Sequence, residues 1–140
     1  AVITFSGVHS TFVRVSFNEF LHDPCELQRR VGEIEYTGGP SEIRTALELI
    51  LSETNLTMRA TRTGTRRAVV VVTDGRSTVG HEPYAAGPAL KAAGLDVVVV
   101  GIGMAYDDDQ LHAMATDASK VIIAPTATDI FDVELQVIDA

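Results

Sequence analysis

Residues 68–75 read Ala-Val-Val-Val-Val-Thr-Asp-Gly, and four consecutive valines cut off by a turn signal constrain the fold more than any other stretch. β-Branched side chains favour extended backbone. A strand with no polar alternation has no face to give to water, so it is expected to be buried on both sides, as in a parallel sheet covered by helices. Asp74 then falls just past the carboxyl end of that strand. In open α/β sheets this is the edge where loops gather and ligands bind. An Asp-Gly pair also makes an ordinary turn, so the rest of the chain has to decide between the two readings.

The remaining patterns place the valine strand in an alternating architecture. Residues 1–6 (AVITFS) and 11–17 (TFVRVSF) read as two strands joined by the short connection 7–10, hence a hairpin. Asp23-Pro24 supplies a cap and first-turn pair for a helix through about Val31, with Leu27 and Val31 four apart. The loop 36–41 leads into the clearest helix, in which Ile43, Ala46, Leu47, Ile50 and Leu51 fall on one apolar face. Ser41 is its natural N-cap. A helix from about Glu82 to Ala93 follows the valine strand, stopped by Gly94; Pro83 fits its first turn, whereas Pro88 should kink or shorten it. Leu95 to Ile102 (LDVVVVGI) is a second apolar strand, 110–116 a short helix, 121–124 a third apolar strand, and Thr128-Asp129 caps a final helix presenting Phe131, Leu135 and Ile138. Such alternation implies right-handed crossovers and a mainly parallel sheet between helices, a three-layer, doubly wound α/β fold with an antiparallel edge hairpin. No linker or repeat interrupts the 140 residues, which read as one domain.

Charge and motif content narrow the function. The formal net charge is −8, electrostatically wrong for a phosphate backbone, so nucleic acid is excluded as a general partner. Arg59, Arg62, Arg66 and Arg67 read as a solvated loop ahead of the valine strand. No apolar run approaches the roughly 20 residues that cross a bilayer. The single Cys25 rules out an internal disulfide and permits an intermolecular one. Gly101-Ile102-Gly103 lacks the third glycine of a dinucleotide fingerprint, and residues 75–80 have one residue too many for a hydrolase nucleophile elbow. His9, His22, His81 and His112 show no metal-ligand spacing. Asp107, Asp108 and Asp109 lack the alternation of a calcium loop and instead suit a helix N-terminus. Asn55-Leu56-Thr57 is a formal N-glycosylation acceptor.

Ser41 and Asp74 stand out as a pair. Right-handed crossovers send both to the same sheet edge, and a hydroxyl with a carboxylate makes a hard oxygen donor set for Mg²⁺ or Mn²⁺ held partly by water. An incompletely filled coordination shell leaves a position for an acidic group brought by a partner.

These segments resemble the von Willebrand factor type A domain of matrix proteins, collagens and integrin inserted domains. Residues 1–20 are similar to its second and third strands, YTGGPSEIRTALELIL to its Gly-Gly loop and following helix, and VVVVTDGRS to its fourth strand and metal loop. KAAGLDVVVVGIG and IIAPTATDIFDVELQVIDA are similar to its last two strands and final helix. The resemblance implies a metal-ion-dependent adhesion site with Ser41 and Asp74 on the cation, usually Mg²⁺ (or Mn²⁺ or Ca²⁺), and Gly39, Glu42, Gly75, Arg76 and Ser77 around it facing the partner. It also implies noncatalytic binding of an extracellular matrix or cell-surface protein such as collagen, extracellular localisation, and room for self-association. The rivals are a structural module without a working metal site and a small α/β enzyme, for which only His81 is a local base. Two departures matter. The chain starts after the first central strand and its Asp-x-Ser-x-Ser motif, so the domain reads as N-terminally incomplete, and Glu42-Ile43 stands where the family often has Asn-Thr.

Overall fold

In a computed structural model, residues 1–7, 9–16, 19, 22–57, 66–75 and 85–131 are described. The valine run forms β3 (Ala68–Gly75), which pairs in parallel with β4 (Asp96–Ala105), itself parallel to β5 (Val121–Ala124). The sheet order is β3-β4-β5. The opening residues form β1 (Val2–Thr4) and β2 (Phe12–Val15), an antiparallel pair in a sheet of its own. The connection between them is tightened by Ser6 N donating to Ser10 O at 3.1 Å and Ser10 N to Gly7 O at 3.1 Å. These elements bear out an α/β fold with a parallel sheet and an antiparallel hairpin.

The helices follow their end signals. α1 (Pro24–Gly32) starts on Asp23, whose carboxylate accepts from Glu26 N at 2.9 Å, with proline in the first turn where its missing N–H is harmless. It has no fully buried residue, and Val31 is exposed. α2 (Ile43–Thr57) buries Ile43, Ala46 and Leu47 as its spacing predicts. α3 is Ala86–Ala92, shorter than the 82–93 expected; its start at Ala86 puts Pro88 in the first turn, where a proline breaks no intrahelical bond. Residues 82–84 lie outside the described residues. Gly87 packs so closely that a Cβ would stand 2.5 Å from Ala113 O, so only glycine lets α3 approach α4 (Asp108–Met114). Asp107 caps α4 by accepting from Gln110 N at 3.2 Å, and Asp108 and Asp109 fill its first turn, as the aspartate run predicts. The expected final helix is seen only as the 3₁₀ turn Ala127–Phe131; Leu135 and Ile138 lie outside the described residues.

One core cluster joins Ile43 and Leu47 of α2, Ala86 and Leu90 of α3, and Leu111 and Met114 of α4 to Val71, Val97 and Val99 of the sheet. Three helices therefore cover one face. On the other face Val98, Val100, Ile122 and Ala124 form a smaller cluster with Ile102 and Ile130. Phe5, just after β1, packs against the larger cluster, which ties the hairpin to the same core.

The expectation that the valine strand is covered on both faces needs correction. Val71 is 5% exposed, but Val70 and Val72 are 47% and 42% exposed. β3 is the edge strand of its sheet, and the smaller cluster sits over β4 and β5, so among the described residues the second face of β3 has little above it.

Candidate functional site

Two groups of expected site residues lie at element ends. The first surrounds the start of α2. Gly38 (φ +60°) and Gly39 (φ +102°) take left-handed backbone that side chains strain to adopt, which lets the chain turn sharply before the helix. The loop is held to the connection between β1 and β2: Gly7 N donates to Pro40 O, and the Ser6 and Thr37 hydroxyls lie 3.3 Å apart. α2 begins at Ile43, and Ser41 and Glu42 are the two residues that lead into it, Ser41 part-buried and Glu42 buried.

Glu42 is only 6% exposed, and its Oε2 has no hydrogen-bond partner. The positive end of a 15-residue helix favours a carboxylate here. An unpaired buried oxygen nevertheless forfeits its hydration, on the order of 1–3 kcal/mol and more when charged.

The second group lies at the end of β3. Thr73, buried, donates its hydroxyl to Gly75 O at 2.9 Å and accepts from Gly75 N at 3.4 Å. The β3–β4 ladder slips at this point, with Thr73 opposite Gly101 and Gly75 opposite Ala105. Asp74 sits in the slip, exposed at the strand's carboxyl end. On the facing strand Gly103 (φ +78°) turns the backbone and Met104 projects outward, 87% exposed. Arg76, Ser77 and His81 lie outside the described residues, as do the side chains of the Asn55-Leu56-Thr57 acceptor.

Met104 was not among the expected site residues; the signal for it is the second glycine of Gly-Ile-Gly, which breaks strand geometry beside the acid. The oxygen donors present, a part-buried hydroxyl, an exposed carboxylate and a buried carboxylate oxygen without a partner, suit a hard divalent cation. Among the described residues no three His, Cys, Asp or Glu side chains are grouped closely enough to hold a metal by themselves. A cation here would depend on hydroxyl and water as well as carboxylate.

A parallel three-stranded sheet with helices packed over one face and an antiparallel hairpin tied to the same core defines an α/β module. The chain belongs to the von Willebrand factor type A domain family, which matches residues 1–136. Among solved structures it is similar to proximal thread matrix protein 1 of the mussel byssus, with 23% identity and a TM-score of 0.88 over 98% of this chain and 35% of that one. A structure of the same mussel protein with a zinc-occupied MIDAS motif gives 23% identity and a TM-score of 0.87 over 98% of this chain and 34% of that one. The manganese-loaded TRAP protein of Plasmodium vivax gives 14% identity and a TM-score of 0.61 over 91% of this chain and 53% of that one. No curated protein matches the chain. The chain spans about a third of the length of the mussel protein, and at these identities the likeness is one of fold.

Proposed function

We propose that this chain is a noncatalytic protein-binding module that holds a divalent cation, Mg²⁺ or a similar ion, between Ser41 and Asp74 and offers it to an acidic side chain of an extracellular partner. The observation that carries this reading is the placement of Asp74, exposed in a ladder slip at the carboxyl end of β3. The two relatives solved with zinc and manganese bound support it, since both share the fold.

When bound, the cation supplies a Lewis-acidic point of attachment for a partner carboxylate. The protein's own residues do the rest. Ser41 brings an uncharged oxygen on a loop bonded to the β1–β2 connection, and Asp74 brings the negative charge. Gly39 and Gly75 keep the rim low so that a partner can approach, and Arg76 and Ser77 flank the acid in sequence. Met104 offers apolar contact beside it. Matrix or cell-surface proteins such as collagen are the proposed partners, and association between copies through the same rim is compatible with it. No helix among the described residues is long and apolar enough to cross a membrane; the byssus-matrix relative supports an extracellular setting.

A second reading, a structural module with no working metal site, draws on the lack of a three-ligand cluster among the described residues. Binding of the intact protein to immobilised collagen in millimolar Mg²⁺ and again in excess chelator separates the two. Loss of binding in chelator supports the cation-dependent reading. Undiminished binding in chelator supports the structural one.

A further inference from the structure

Glu42 has a carboxylate that the fold buries without fully pairing. It is 6% exposed, next in sequence to Ser41, and its Oε2 accepts no hydrogen bond. At that burial it cannot be a main contact for a large partner surface. The start of α2 explains why a negative charge is tolerated there but does not give the second oxygen a donor. Buried carboxylates are as a rule paired or coordinate a metal. Glu42 follows Ser41, the hydroxyl assigned to the cation, directly in sequence, so the buried oxygen without a donor and that hydroxyl belong to neighbouring residues at the entry to α2.

We infer that Glu42 supplies a carboxylate oxygen to the cation held by Ser41 and Asp74, from beneath the rim; this rests on the cation-binding reading above. Two carboxylates then neutralise a divalent ion before any partner arrives. The ion is held more firmly than one carboxylate and a hydroxyl would hold it, and it attracts a partner's acid less strongly through net charge. Glu42 thereby sets a balance between retaining the ion and recruiting the acid.

The test is titration of the intact protein with Mn²⁺ alone, read by calorimetry, on the wild type, Glu42→Gln, Glu42→Asp and Asp74→Ala, with metal-free thermal unfolding alongside. Glu42→Gln, nearly isosteric, is expected to weaken Mn²⁺ binding roughly 10- to 100-fold, the usual scale for residues that support a metal site. It should leave the metal-free unfolding temperature unchanged or raised, because it removes a buried charge. Glu42→Asp, which keeps the charge, should lose less affinity than Glu42→Gln. Wild-type Mn²⁺ affinity in Glu42→Gln, with binding lost in Asp74→Ala, would overturn this inference and leave the proposed function standing. A lowered metal-free unfolding temperature in Glu42→Gln would also overturn it, since Glu42 would then be bonded within the fold. Unchanged Mn²⁺ affinity in Asp74→Ala would remove the cation-binding reading and this inference together.

Discussion

β3 and β4 carry nearly the same sequence, Val-Val-Val-Val ending in a glycine-containing turn, and run side by side in parallel register from Ala68 opposite Asp96 to Thr73 opposite Gly101. Their environments differ. Val97, Val98, Val99 and Val100 of β4 are 0%, 2%, 0% and 2% exposed, whereas Val70 and Val72 of β3 are 47% and 42% exposed. The valine run marks a strand of a parallel sheet, but a strand's neighbours decide how much of it is covered. β4 lies between two strands with clusters on both faces; among the described residues β3 has one strand neighbour and one covered face. The interior strand is also the one clipped at its start, with Val97 N donating to the Thr116 hydroxyl at 2.7 Å and Thr116 N to Val97 O at 3.0 Å.

The largest effect expected from this contrast is on stability. Val99→Ala removes two methyls from a fully enclosed site and should lower the unfolding free energy by roughly 2–3 kcal/mol, by transfer and cavity terms together. Val72→Ala should lower it by about 1 kcal/mol or less, while Val71→Ala, on the covered face of the same strand, should behave like the β4 change. Chemical denaturation of the three variants checks this. Equal losses at Val72 and Val99 would break the contrast, and would mean that the intact protein covers the second face of β3.

A smaller effect separates the two glycines. A Cβ on Gly101 would meet Leu111 Cδ1 at 2.8 Å and Ile123 Cδ1 at 3.2 Å, whereas one on Gly75 meets nothing within 4 Å. Gly101→Ala should therefore cost on the order of 1–2 kcal/mol through overpacking against side-chain tips that can partly yield. Gly75→Ala should fall within about 0.5 kcal/mol of wild type. Thermal unfolding of both variants sharpens the comparison, because it tests packing at the two strand ends without touching the valines.

Much of this was legible in residues with one physical meaning. Asp23-Pro24 could only start a helix, the spacing of Ile43, Ala46 and Leu47 could only bury one helical face, and Val121 to Ala124 matched its strand at both ends. What escaped depended on distant partners. The exposed face of Val70 and Val72 follows from the strand order, which no local pattern encodes. The short α3, with Pro88 in its first turn, is by contrast the shortening that this proline led one to expect. At the candidate site, Asp74 and the glycine turn before α2 could be read directly, since both sit at sharp boundaries. The buried oxygen of Glu42 and the outward Met104 could not, because each is a product of packing and ladder slip rather than of composition.

Two loops, one bonded to the β1–β2 connection and the other ending β3, are proposed to serve a single ion. Mn²⁺ is paramagnetic and erases the amide signals of residues close to it, so substoichiometric Mn²⁺ added to the isotope-labelled intact protein reads that claim residue by residue. Ser41, Glu42, Asp74 and Gly75 are expected to broaden together at the same Mn²⁺ concentration while α1 stays sharp. Broadening around only one of the two loops, or around neither, would contradict it.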